Sequence, residues 1–278
     1  MSNIVLPYQI TKTLMLAIHQ LRASFQLANN NDYSPYTPYT LNSKYAILQD
    51  KLPTNIPKLR YFGIGINGFK NTDNLNNGAP YIPSTKNLDL YTPIPFRCVP
   101  VTNDIKGEER DKYRMRVLKN IYGVDYYCYY LKLLTITNAD VDVTNTNINT
   151  GEETFGLPGD FSDNLNPTPE NTVLQGVSSD TIETNVSVTC IAPITGEEVN
   201  EVMSIMYPDN PLLKARISEL GLYFGEDLEQ IDEDNDAYNE SIYTILGYHR
   251  TSLGTDYSDP STVGDIRFKL SSANSFLS

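Results

Sequence analysis

The stretch RCVPVTNDIKGEERDKYRMRVLKNIYGVDYYCYYLKLLTIT, residues 97–137, constrains the fold most, because it holds the densest run of strand-forming residues in the chain. Tyr113, Met115 and Val117 alternate with Arg114 and Arg116, and a period of two places the apolar set on one face and the arginines on the other. Gly123 interrupts the run, and the segment after it carries Tyr126, Tyr127, Tyr129 and Tyr130, which suit a pleated surface and poorly suit a helix. The pattern predicts a β-meander.

Its 278 residues allow either one large β domain or two smaller ones. Lysines and arginines number 21 against 34 acids, and the net charge of -13 argues against a grip on nucleic acid and for solubility. Charged residues make up only 20%, while Asn, Thr and Tyr are abundant, which fits a β-rich surface or assembly protein better than a helical enzyme. Cys98, Cys128 and Cys190 are odd in number and too widely spaced for a zinc clip, so they are expected as buried free thiols of a chain made in a reducing cytosol. Met1 to Gln9 lacks the basic and apolar regions of a signal peptide, and no apolar run approaches the ~20 residues that span a bilayer.

Along the chain, Ile10, Leu14, Ile18, Leu21 and Phe25 recur at spacings of three and four, the stripe of an amphipathic helix starting near Thr11 and ending at Asn29 to Asn31. That stripe suits docking on the protein's own sheet or on a neighbouring subunit. Residues 32–57 include SPYTPYT and two further prolines, so they are expected as an extended arm. The G-x-G-x-x-G of Gly63, Gly65 and Gly68 runs into the loop NTDNLNNGAPYIP, where a dinucleotide site needs a helix, so these glycines read as a bulge or a close backbone approach.

Residues 144–175 are rich in Asn, Thr, Gly and Pro and read as a long loop excursion, after which Val186, Val188 and Cys190 restore strand alternation. Thr195 and Glu198 form a capping box for a helix with Val199, Val202, Met203 and Met206 on one face, stopped by Pro208. Lys214 to Phe224 reads as a strand. EDLEQIDEDND, residues 226–236, is expected as a solvated acidic hairpin tip; its Asp232, Asp234 and Asp236 fail as a calcium loop because Ala237 replaces the turn glycine and Tyr243 the closing glutamate. Two further strands, 241–253 and 262–270, follow. His249 reads as a satisfied strand histidine, since no orienting partner is evident, and no serine or cysteine lies in a nucleophile elbow. No catalytic, cofactor-binding or metal-ligating residue is assigned, no cofactor is expected, and the chain is not expected to be an enzyme.

RISELGLYFGED resembles the I-S-E-[IVL]-G-L-[YF] strand of structural proteins of tailed bacteriophages. Together with IPFRCVPVTNDIKGEERDKYRMR and TILGYHRTSLGTDYS it is similar to virion proteins of large tailed phages that form the neck, tail or baseplate. The resemblance implies a ring-forming component of the neck or collar at the head-to-tail junction, or of the tail or baseplate, made in the host cytoplasm and carried in the virion. Its implied partners are copies of itself in a symmetric ring and other virion proteins such as the portal, with no direct nucleic-acid readout and no membrane. The expected fold is α+β, mainly β: an antiparallel sheet or β-sandwich core over residues 58–278, preceded by a helix and Pro/Tyr-rich arm over 1–57, with one further short helix. The alternative is a β-sandwich binding module that recognises carbohydrate or peptide through tyrosine-rich loops.

Overall fold

The computed structural model of the chain describes residues 8–24, 40–70, 78–136, 140–146, 150–155, 181–209, 215–232 and 236–277. In order, the elements are β1 (Tyr8–Lys12), α1 (Leu14–Ser24), α2 (Leu41–Tyr45), β2 (Lys58–Gly65), β3 (Phe69–Lys70), β4 (Ala79–Pro80), β5 (Pro93–Ile94), β6 (Arg97–Pro100), α3 (Gly107–Arg110), β7 (Tyr113–Ile121), β8 (Val124–Leu133), β9 (Thr135–Ile136), β10 (Asp140–Thr146), β11 (Glu153–Phe155), β12 (Thr181–Thr195), α4 (Gly196–Met206), β13 (Arg216–Ile231), β14 (Ala237–Asp256) and β15 (Val263–Leu277). The fold is mainly β and antiparallel, as the alternation predicts. It divides into two units, Met1–Leu134 with Ala192–Ile266, and Thr135–Ile191 with Arg267–Ser278.

The larger unit is built on a sheet ordered β1-β14-β13-β2-β8-β6, with β5 also on β2 and β7 also on β8. The tyrosine-rich stretch supplies β6, β7 and β8, but not as the expected meander: β8 carries both β6 and β7, so β6 pairs with β8 and not with the next strand in sequence, and β13–β14 is a long hairpin in the same sheet. The β7–β8 ladder keeps one register from Tyr113↔Lys132 to Ile121↔Val124 but skips Met115, whose φ is +60°. That conformation turns the backbone away from β8. The Met115 N–H donates instead to Glu240 Oε1 at 2.7 Å, and Arg116 N–H to Oε2 at 3.3 Å. Glu240 is a buried residue near the start of β14, so the sheet curls until a carboxylate joins β7 to β14.

Inside the curl, Tyr61, Met115, Cys98, Cys128, Tyr130, Leu131, Tyr223 and Leu246 pack with Leu41 of α2 and Val202 of α4. The α4 helix presents the face expected of it: Val199, Val202 and Met203 are buried. Its capping box is formed, with Glu198 N–H on Thr195 Oγ1 at 3.3 Å and Thr195 N–H on Glu198 Oε2 at 3.2 Å. The strand glycines mark close approach rather than phosphate binding. A Cβ on Gly65 would sit 2.8 Å from the Thr92 carbonyl oxygen, and one on Gly68 would strike the Ser218 carbonyl.

Three expectations are corrected in this unit. Thr11 lies in β1, and Thr13 starts α1, taking the Leu16 N–H on its hydroxyl at 3.2 Å. The expected end of that helix at Asn29 to Asn31 lies outside the described residues. Residues 40–57 are not an extended arm. They carry α2, capped by Thr40, and the buried Asn42 donates to the Ser241 carbonyl at 2.6 Å and accepts the Thr244 N–H at 2.8 Å. Its amide thus replaces a missing strand neighbour where β14 kinks at Tyr243, φ +50°. The rest of the expected arm, 32–39, lies outside the described residues.

The acidic segment 226–236 is also less solvated than its composition suggests. Glu226 accepts the Thr54 and Asn55 N–H groups at 2.7 and 3.3 Å. Asp227 pairs with Arg114, Nε to Oδ1 at 2.9 Å and Nη2 to Oδ2 at 3.2 Å, and accepts the Tyr61 hydroxyl at 2.7 Å. Of the expected tip, residues 233–235, Asp234 among them, lie outside the described residues. Asp232 Oδ1 accepts the Asp236 N–H at 2.8 Å.

The smaller unit is a five-stranded sheet ordered β11-β10-β12-β15, with β9 on β12. Part of the segment expected as a loop excursion is strand here, Thr144–Thr146 pairing with Glu153–Phe155. Residues 147–149 and 156–180 of that segment lie outside the described residues.

Candidate assembly surface

The surface begins with α1. Its apolar residues fall on two faces, and the helix docks on its own sheet through Met15, Leu16 and His19, all buried. His19 Nε2 meets the Pro57 carbonyl oxygen at 2.9 Å, and Thr13 Oγ1 donates to the Leu246 carbonyl at 2.5 Å. The face that carries the sequence stripe points away: Leu14 and Leu21 are 54% and 61% exposed. Ahead of it runs β1, held by β14 in register from Tyr8↔Ser252 to Lys12↔Tyr248. Among the described residues β14 is the sole strand paired with β1, and none of them adds a strand to its opposite edge, beside the exposed Tyr8 and Ile10.

Next to this edge lies a strap, residues 81–92, which is irregular yet fastened along its length. Tyr81 N–H donates to the Gly68 carbonyl at 2.9 Å, Leu14 N–H to the Thr85 carbonyl at 2.8 Å, and Ile66 N–H to the Thr92 carbonyl at 3.0 Å. Thr251 Oγ1 donates to the Tyr81 carbonyl, and Asp89 accepts the Tyr223 hydroxyl at 3.0 Å and the Lys44 ammonium. So anchored, the strap turns Tyr81, Ile82, Leu88 and Tyr91 outward, Ile82 at 78% exposure. An irregular segment held this tightly keeps its apolar side chains in place instead of letting them fold back.

The main anchor is Glu219 on β13, fully buried beside Gly65 and Gly68. Its carboxylate accepts the Tyr91 N–H at 2.6 Å, the Thr92 N–H at 3.2 Å and His249 Nε2 at 3.2 Å. On the far side of the imidazole, Asn87 Nδ2 donates to Nδ1 at 3.0 Å, which places the ring proton on Nε2, towards Glu219. The Tyr91 ring covers the pair, its centroid 4.9 Å from that of His249. Glu219 is thus the orienting partner that sequence inspection does not supply. With both ring nitrogens engaged, the imidazole holds the strap to the sheet and has no lone pair free to take a proton from a substrate. The sequence carries no local signal for this pair, because β13 and β14 bring Glu219 and His249 together only through their register.

Charges are paired in the cleft between α3 and α4. This cleft, about 290 Å³, is lined by Lys132 on Glu198 at 2.6 Å and by Arg97 on Glu109 and Glu201 at 2.6 and 3.1 Å. Burial would raise the Asp227 carboxyl, but the Arg114 guanidinium, the Tyr61 hydroxyl and Arg60 outweigh it and hold the group below its ordinary value. Among the described residues, no cluster of His, Cys, Asp and Glu is arranged to hold a metal ion, and no helix is long and apolar enough to cross a membrane.

A model of a family of unknown function, DUF7208, matches residues 2–268. The chain belongs to that family. No curated protein and no solved structure matches it. The family match spans β1, α1, the strap and the β13–β14 hairpin, so every element of the surface described above lies within the family's extent.

Proposed function

We propose that this chain is a structural component of a tailed-phage virion, a ring-forming protein of the neck or collar, or of the tail or baseplate, that joins copies of itself and adjoining virion proteins. The observation that carries this reading is the uncovered helical stripe of Leu14 and Leu21 beside the open edge of β1 and the rigid apolar strap. A single copy leaves these groups in water, and a neighbouring copy covers them by adding a strand to β1 while packing on the stripe. Closed rings form when such a contact repeats head to tail through a rotation that closes. The resemblance of RISELGLYFGED to tailed-phage structural strands supports the same reading and supplies its setting.

Light scattering of the purified full chain tests the assembly part. The expected result is a mass several times the 31.3 kDa monomer, falling to the monomer in Leu14→Glu/Leu21→Glu with its circular dichroism unchanged. A wild-type chain that stays monomeric at all concentrations and in the presence of its virion neighbours overturns it. Electron microscopy of particles made with a tagged copy tests the setting, and absence of the tag from particles removes the virion reading.

A further inference from the structure

Cys98 on β6 and Cys128 on β8 are register partners, directly opposed across an antiparallel ladder. Their sulfur atoms lie 2.7 Å apart, and the two residues are free thiols, both buried. Directly opposed residues of an antiparallel pair have Cα atoms about 4.5–5.5 Å apart, within the roughly 4.4–6.8 Å that a disulfide spans. The two strands can therefore be bridged where they stand. Met115, Tyr130 and Val202 belong to the same buried cluster as the pair, and Lys119 lies near enough to act on both thiols. The hydrogen bond to Cys128, followed by burial, pushes the Cys98 thiol above its ordinary value. Cys190 is also a buried free thiol, but its ladder partner is Ile136, so no cysteine stands opposite it.

We propose that Cys98 and Cys128 are a site of reversible oxidation that closes to a disulfide when the chain meets a small-molecule disulfide such as glutathione disulfide. One cysteine, as thiolate, attacks a sulfur of glutathione disulfide and releases one glutathione. The other cysteine then attacks the mixed disulfide, releases the second glutathione and leaves the Cys98–Cys128 bond. Two thiols are oxidised by two electrons, one glutathione disulfide is reduced, and two protons pass to the two glutathiones. The bond closes a loop from 98 to 128 that contains α3, all of β7 and the exposed hairpin tip at Tyr122. Oxidation therefore ties β6 to the β7–β8 hairpin that carries Met115 and its link to Glu240, and it becomes available to a chain that leaves a reducing compartment.

The test is thiol counting by mass on the full chain. Protein is equilibrated either with dithiothreitol or with excess glutathione disulfide, quenched in acid, denatured and alkylated. The reduced sample takes three alkyl groups; the oxidised sample is expected to take one, on Cys190, with a linked peptide pair containing Cys98 and Cys128. Because both thiols are buried, exchange on the folded protein proceeds through local opening. A second arm therefore refolds the chain from denaturant in a glutathione redox buffer, where both thiols are accessible as the strands pair. Cys98→Ser should take two alkyl groups under every condition, and the oxidised wild type should unfold at higher denaturant than the reduced. Three alkyl groups after oxidative refolding, glutathione left attached to Cys98 or Cys128, or a dominant link to Cys190 would each overturn the proposal.

Discussion

Asp227 offers the sharpest test of how the sheet is held, because it lies in a segment whose composition suggests a solvated tip. Arg114 is 3% exposed at its side chain and faces an Asp227 carboxylate that is itself 17% exposed. Asp227→Ala removes the two-pronged ion pair and the Tyr61 hydroxyl bond, leaving a guanidinium in the interior. Breaking a buried ion pair from one side costs about 3–5 kcal/mol, since the orphaned charge keeps its desolvation penalty. Arg114 Nη1 still donates to the carbonyls of Asp111 and Tyr113, both at 2.8 Å, which argues for the lower end, about 3 kcal/mol. The exposed arm of the cluster, Arg60, adds little. In urea, with m of about 3 kcal/mol/M, the midpoint should fall by about 1 M at unchanged m. The companion Arg114→Met/Asp227→Leu removes both charges and should recover most of the loss. The pH profile gives an independent check. The folded carboxyl is held below its unfolded value of about 3.9, so its contribution is present above that pH and is lost as pH falls through the folded value. Asp227→Ala should abolish that acid-side loss. A midpoint shift under roughly 0.3 M, or a double variant as unstable as the single, would refute the reasoning.

Three further expectations follow from local geometry. Thr195→Ala should cost about 0.5–2 kcal/mol in thermal unfolding by uncapping α4, with no change in self-association; an unchanged melting curve would show that the capping box contributes nothing. Glu219→Gln keeps the shape of the anchor but weakens its bonds to the strap, so amide exchange at Tyr91 and Thr92 should quicken while the β13–β14 ladder stays protected, as hydrogen exchange read by mass or NMR will show. Burial, with the charge of Asp265 adding to it, pushes Tyr257 up to about 12. A hydroxyl whose folded value exceeds its unfolded one near 10 contributes up to about 3 kcal/mol below that pH and loses it between about pH 10 and 12. Tyr257→Phe should therefore flatten that alkaline loss in denaturant melts run across the window.

What the sequence shows well is what the chain decides locally. The capping box is a contact over three residues, and the β-forming composition around Tyr126 suits the pleat itself, so both are legible before any tertiary contact exists, whereas the break at Met115 is not. The glycines of β2 were legible as close approach, though not what approaches them. The helix at Leu14 was legible as a helix, but its docking face was not. Two apolar faces compete in that stretch, and the winner depends on Leu246 and Pro57, which accept bonds from Thr13 and His19 far along the chain. The same limit hid Glu219 and His249, which read singly as a polar strand residue and a strand histidine until the register opposes them. It also hid Asn42, whose amide has meaning only against the kink at Tyr243, and Asp227, which looks like one more acid until Arg114 is placed beside it. In each case a polar residue is committed to one partner far away in sequence, and no local pattern records the choice.

The pairing of β1 with β14 also fixes an order of events during synthesis. Thr11 is made first, and its ladder partner His249 is added more than two hundred residues later. At about 5–20 residues per second, β1 and the apolar faces of α1 spend on the order of ten seconds or more without the sheet that receives them. The β7–β8 hairpin and the contacts of β2 with it can form during that wait, whereas β1, made before them, docks after them. A nascent chain therefore leaves the docking face of α1, Met15 and Leu16, uncovered until β14 is made. Chaperones that bind short apolar helical segments would meet it first, and slowing translation near β14 would lengthen that exposure without altering the finished fold.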